Sequence, residues 1–126
     1  MNDIVIKVKS VSKAFTSRLV LSKVDLDVLR SESVFICGIN GAGKSTLLKI
    51  VAGLLQPDEG SVELCGHDIQ RDPEKAKPQL GVISHKSIVY PDLTVHENLQ
   101  FFAQLYGVKD VNVRVNELLE QASIIR

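Results

Sequence analysis

Ile4, Ile6 and Val8 recur at every second position, and Val24, Leu26 and Val28 alternate with Asp25 and Asp27. This period of two predicts two half-buried strands of an antiparallel sheet with one wet face. After the polar turn Ser31-Glu32-Ser33, Val34-Phe35-Ile36-Cys37 is apolar without alternation. That suits a central parallel strand covered on both sides. Gly38 to Gly43 is a glycine-rich turn, and the period then lengthens. Leu47, Leu48, Ile50, Val51, Leu54 and Leu55 fall at helical spacing, with Gly53 and Pro57 marking the end. Pro57-Asp58-Glu59-Gly60 predicts a turn, Val62 and Leu64 a short strand, and Gly66-His67-Asp68 another turn. Asp72 as N-cap and Pro73 at the first helical position open a short helix through about Lys77. Leu80 to Ser84 is a further strand candidate. Asp92 to Tyr106 reads as a helix, because Thr94 and Glu97 have capping-box spacing. Leu99, Phe102, Ala103 and Tyr106 line one face of it. Val111 to Ile125 is a last amphipathic helix. Alternating strands and helices make this an α/β chain, with no internal repeat or low-complexity stretch.

The chain has 126 residues, 44% of them apolar, enough for one core. The 15 basic and 15 acidic side chains balance. That argues against a dedicated nucleic-acid binder, so anion binding must come from local geometry. No apolar run approaches the ~20 residues of a membrane span. Met1 to Lys9 mixes charged and apolar residues, unlike a signal peptide. A soluble, cytoplasmic chain is expected, with any membrane helices on another polypeptide. Cys37 and Cys65 lie in apolar runs and read as buried thiols, the disulfide alternative having no other support. No paired cysteines suggest zinc. His67 and His96 read as surface residues.

The strongest chemical signal is Gly38-Ile39-Asn40-Gly41-Ala42-Gly43-Lys44-Ser45-Thr46, a full match to G-x-x-x-x-G-K-[ST]. A buried strand is expected before it and an amphipathic helix after it, as the motif requires. Glycines let the backbone curl so that successive N–H groups face one anion. The helix that starts near Lys44 adds orphan N–H groups and a positive dipole end. Lys44 is expected to reach the β- and γ-phosphates of a nucleoside triphosphate. Ser45 is expected to ligate Mg²⁺, and Thr46 to contact an inner phosphate. The bland alternative is a glycine-rich turn with an exposed lysine.

On these residues the chain resembles the ATP-binding cassette (ABC) ATPases over almost its whole length. Gly38 to Leu48 looks like their Walker A helix. Gly53-Leu54-Leu55-Gln56-Pro57-Asp58-Glu59-Gly60 is similar to the segment that follows it in transporter cassettes. Leu93-Thr94-Val95-His96-Glu97-Asn98-Leu99 is similar to the L-T-V-x-E-N-L stretch opening their helical subdomain. The resemblance implies a P-loop NTPase cassette: an antiparallel β-subdomain with the start of a RecA-like core over about 1–91, then the start of the helical subdomain over about 92–126. It implies that Asn40, Gly41, Ala42 and Gly43 join Gly38, Lys44, Ser45 and Thr46 in binding ATP–Mg²⁺. It places Phe15 where the family has an aromatic that stacks on adenine, against the alternative of a core Phe.

His85 falls where the family usually has its Q-loop glutamine, which links the γ-phosphate and Mg²⁺ to the surface that touches membrane subunits. A catalytic and metal-side role for His85, beside Lys44 and Ser45, follows from that position alone, and a structural histidine is the alternative. A histidine there is similar to the ATP-binding subunit of the bacterial heme exporter. Ser31 stands where the family usually has glycine.

The likeness covers about the first half of a cassette. No L-S-G-G-Q signature, no later strand ending in Asp-Glu and no switch histidine are present in these 126 residues. Binding of ATP–Mg²⁺ without cassette-like hydrolysis, and poor solubility, are therefore expected of the chain by itself. Three functions fit: the ATPase subunit of a membrane transporter, a soluble cassette ATPase acting on ribosomes or DNA, and a non-hydrolysing nucleotide-binding module. The first implies an integral membrane partner, a cassette dimer, no nucleic acid, and a place at the inner face of the cell membrane.

Overall fold

In a computed structural model, which describes residues 3–84 and 88–123, the chain gathers into two compact units, Met1–Val82 and Ile83–Arg126. The alternating strands of the first unit form one long hairpin, β1 (Ile4–Phe15) and β2 (Arg18–Leu29). Two residues, Thr16 and Ser17, join them, with Thr16 in the left-handed region at φ 55. Helix α1 (Lys44–Val51) follows, then β3 (Glu59–Leu64) and the short β4 (His67–Asp68). The sheet order is β2-β1-β3-β4, antiparallel throughout. Val8 of the central β1 stands opposite both Leu26 and Val62, so one apolar face runs across three strands.

That face packs against the helices. Val8, Val11, Val62 and Leu64 from the sheet meet Leu47 and Ile50 of α1, with Ile69 and Ala76 closing the cluster. Val11 and Ile50 are fully buried. Burying a branched side chain of this kind contributes about 1.5–3 kcal/mol. The β1–β2 ladder shifts register around Val11, beside Ser10 and Lys23, which both have positive φ. Such bulges bend and twist the hairpin. The buried Ser12 hydroxyl accepts the Lys23 N–H at 3.1 Å, so the irregularity leaves that donor satisfied. Gly60 fits the opening of β3 because a Cβ there would lie 2.4 Å from the Lys9 carbonyl oxygen. Helix α2 (Pro73–Ala76) begins with Pro73 as expected, but Asp72 makes no side-chain capping bond, and a 3-10 turn, Lys77–Gln79, follows.

In the second unit, α3 (Val95–Leu105) and α4 (Val111–Gln121) pack on each other. The Thr94 hydroxyl accepts the Glu97 N–H at 3.2 Å, and the Glu97 carboxylate accepts the Thr94 N–H at 2.8 Å. The capping box read from the sequence is present in full. Buried Asn98 accepts the Tyr90 N–H and donates to the carbonyls of Tyr90, Leu93 and Thr94 at 3.0 Å, fixing the entry of the chain into α3. Of the expected apolar face of this helix, Tyr106 is exposed.

Three expectations are corrected. Residues 34–37 and 80–84 form no ladder, although both were expected to be strands. The described ladders are the antiparallel ones, and neither run pairs with an edge of that sheet. An apolar run becomes a strand only where another segment supplies hydrogen bonds. Ile36 and Leu80 still pack on the core, while Phe35 is 89% exposed. The cysteines are not buried: both are free and exposed, Cys65 sitting in a turn at φ 49. Finally, His67–Asp68, expected to be turn, adds two residues to the sheet edge through pairing with Glu63 and Leu64.

Candidate nucleotide site

The loop from Gly38 to Gly43 curls because its three glycines all take positive φ. At Gly43 the requirement is also steric. A Cβ there would lie 2.8 Å from Leu21 Cδ2 and 2.9 Å from the Val20 carbonyl oxygen. Gly43 therefore lies directly on β2, and this contact joins the loop to the hairpin. It is also the N-cap of α1 and offers no side-chain cap. The N–H groups of the first turn, from Lys44, Ser45 and Thr46, are thus free of the usual hydroxyl or carboxylate partner. Together with the positive end of the helix dipole they form an anion cradle.

The Lys44 ammonium folds back over this cradle. It donates to the carbonyl oxygens of Gly38 at 2.7 Å and Ile39 at 2.8 Å. An ammonium carries three N–H bonds, so one remains for an incoming ligand. The Ala42 N–H is bonded to the Ile39 carbonyl at 3.2 Å. Ala42 therefore closes the turn and does not add its amide to the cradle, contrary to the idea that every amide of the loop faces inward.

Phe15, Asn40, Gly41, Gly43, Lys44, Ser45 and Thr46 line one open cleft of about 480 Å³. Of the residues singled out in the sequence, Gly38 and Ala42 support the loop without lining the cleft, and His85 lies outside the described residues. Phe15 is the last residue of β1 and 46% exposed, so it is not a core residue. The Lys13 ammonium lies 5.8 Å from its ring centroid. Asp58 in turn accepts the Lys13 ammonium at 2.6 Å and the Ala14 N–H at 2.8 Å, which ties the turn after α1 to the strand end carrying Phe15. These two bonds hold the Asp58 carboxyl below its ordinary value, the Lys13 bond contributing most.

Arg18 and Val20 also line the cleft and escaped the sequence reading. Their signal was the hairpin itself, which sets Arg18 opposite Phe15. Among the described residues no acidic side chain lines the cleft, whereas Lys44 and Arg18 bring two cations to it. Among the described residues no three His, Cys, Asp or Glu side chains cluster to hold a metal. A divalent cation would rest on the Ser45 hydroxyl and on oxygens of the bound anion itself. The donor set suits a polyphosphate carrying a hard cation, since all its groups are N–H donors, cations or a hydroxyl.

A glycine-rich loop that opens a helix beside an antiparallel hairpin is the local architecture of a P-loop module. Residues 21–126 match the ABC transporter family model, and the chain belongs to that family. It is 31% identical to the linearmycin resistance ATP-binding protein LnrL of Bacillus subtilis (strain 168) over 121 residues, covering 94% of this chain and 39% of that protein. It is 35% identical to the Nod factor export ATP-binding protein I of Burkholderia lata, covering 92% of this chain and 39% of the relative. The solved structure of an ATP-binding subunit of an ABC transporter superposes with a TM-score of 0.81 at 34% identity, over 92% of this chain and 49% of the other. The chain thus spans about 40% of the length of these curated relatives and about half of the solved one. Among the described residues no helix is long and apolar enough to cross a membrane.

Proposed function

We propose that the cleft binds ATP with Mg²⁺, and that in the whole protein this binding and subsequent hydrolysis power transport as the ATPase subunit of an ABC transporter. The observation that carries the reading is the meeting of three groups in one cleft: the uncapped first turn of α1, the Lys44 ammonium and the exposed Phe15 ring. Amides of Asn40, Gly41, Gly43 and the first helical turn would cradle the phosphates. Lys44 would exchange its bonds to the Gly38 and Ile39 carbonyls for phosphate oxygens. Ser45 would hold Mg²⁺, and Phe15 would stack on adenine.

The membrane partner, the cassette dimer, a position at the cytoplasmic face of the membrane and the role of His85 beside the γ-phosphate belong to the same proposal. They are supported by family membership and by relatives whose names specify linearmycin resistance and Nod factor export. Those names favour an exporter over a soluble cassette protein. A heme cargo has only His85 behind it.

The test is calorimetric titration with ATP and Mg²⁺ of the chain and of its Lys44→Ala variant. Magnesium-dependent binding that falls at least tenfold in the variant supports the reading, the scale expected of a lost charge-assisted contact. A wild-type chain without affinity for ATP–Mg²⁺, or affinity unchanged by the substitution, overturns it.

A further inference from the structure

We propose that Arg18 is a second cation of the phosphate cleft and contacts the phosphate chain from the β-hairpin side. The inference rests on the nucleotide reading of the same cleft and adds to it a residue outside the P-loop motif.

Position comes first. Arg18 opens β2 and is paired with Phe15 across a two-residue turn, so its backbone is fixed by the ladder. Its side chain reaches the loop. One terminal guanidinium nitrogen lies 3.9 Å from the point that a Cβ on Gly41 would occupy. Gly41 is in the middle of the glycine-rich turn, and both residues line the cleft.

Partners come second. The described ion pairs are Lys13 with Asp58, Arg30 with Asp3 and Arg114 with Glu117. Arg18 is in none of them, and among the described residues its guanidinium donates no hydrogen bond. Among the described residues the cation over the neighbouring Phe15 ring is Lys13. A guanidinium with five N–H donors, sharing a cleft with the Lys44 ammonium and, among the described residues, no carboxylate, is placed for an anion. Its planar fork can take two oxygens of one phosphate, which an ammonium cannot do. Phe15 and Arg18, adjacent across the hairpin, would then read different parts of one ligand: the ring the base, the guanidinium the phosphates.

Two probes separate these roles, ATP–Mg²⁺ and inorganic tripolyphosphate–Mg²⁺, which has no base. Affinities are measured for the wild-type chain and for Arg18→Ala, Arg18→Lys, Phe15→Ala and Lys44→Ala. We expect Arg18→Ala to weaken both probes by the same factor, about tenfold, as for a lost hydrogen bond to a charged group. Arg18→Lys recovers part of that loss, because charge remains and the fork does not. Arg18→Ala also flattens the salt dependence of tripolyphosphate binding. Phe15→Ala weakens ATP alone. If Arg18→Ala weakens ATP and leaves tripolyphosphate unchanged, the guanidinium acts through the base or sugar and the proposal fails. If neither probe responds while Lys44→Ala abolishes binding, the Arg18 assignment falls and the nucleotide reading stands. A wild-type chain that binds neither probe overturns both. Arg18 is exposed, so its variants are expected to keep the wild-type thermal midpoint, which identifies any loss as local.

Discussion

Asp58 and Lys13 are 45 positions apart, yet their side chains meet at 2.6 Å. The pair couples the exit of the P-loop helix to the strand end that carries Phe15. The second Asp58 oxygen accepts the Ala14 N–H, and the Asp58 N–H donates to the Ser12 carbonyl at 2.9 Å. Three bonds therefore fix residues 12–14 against the turn that follows α1. Substitution Asp58→Asn releases the Lys13 ammonium and loosens the ring beneath it. ATP–Mg²⁺ affinity should fall about two- to fivefold, the range of one exposed cation–π contact. Tripolyphosphate affinity should be unchanged. Equal losses for both ligands would show that the pair shapes the P-loop and not the ring.

The same carboxylate gives a pH signature. Its folded value is depressed, first by the Lys13 bond and then by the Ala14 N–H. The contribution is complete above the ordinary value of 3.8 and is lost as pH falls through the lower folded value. Thermal midpoints of the wild type should therefore drop on acidification below about pH 4, with a shallower drop in Asp58→Asn. Parallel acid limbs in the two proteins would contradict this.

Phe15 is nearly half exposed and lines the same cleft as the glycine-rich loop and the start of α1. Phe15→Ala should weaken ATP–Mg²⁺ by about 1–3 kcal/mol, the range measured for aromatic–base stacking. Phe15→Trp should retain affinity. Competition by GTP should remain effective, since stacking needs only a π-face. A ring that serves packing alone would instead lower the thermal midpoint on truncation and leave affinity unchanged.

Ser31 occupies the left-handed region at φ 63, after the Glu32 carboxylate has accepted the Leu29 N–H at 2.7 Å and closed the turn. A side chain in that conformation costs roughly 1–2 kcal/mol relative to glycine. Ser31→Gly should therefore stabilise the fold by about 1 kcal/mol, after the added freedom of the unfolded chain is subtracted. Denaturant unfolding reads this as a higher midpoint at constant slope.

Thr94 starts α3 with a reciprocal pair of bonds to Glu97. Thr94→Ala should destabilise the second unit by about 1 kcal/mol, as for other lost N-caps. The Glu97 carboxyl is held below its ordinary 4.5, chiefly by the Thr94 hydroxyl and then by its N–H. Its support is full above that value and disappears as pH falls through the folded one. Helicity measured by circular dichroism should thus be lower at neutral pH in Thr94→Ala and should fall less steeply than in the wild type on acidification below about pH 4.5. Identical titrations would dismiss the capping account.

What the sequence alone determined is local. The alternating runs at 4–8 and 24–28, the glycine-rich loop before α1 and the Thr94 cap were legible because the residues that signal each of them lie within a few positions of one another. Their determinants are φ preference, short-range hydrogen bonds and side-chain period. What the tertiary structure decided depends on segments far apart in the chain. It set Asp58 on Lys13, brought the Arg18 guanidinium to Gly41 and laid β2 under Gly43. It also left residues 34–37 without a ladder and Cys65 exposed in a turn. Hydrophobic runs report that a segment can be buried, but which segment supplies the opposing hydrogen bonds is a property of the assembled sheet. A cleft that gathers a ring, a guanidinium and a helix start exists only after that assembly has occurred.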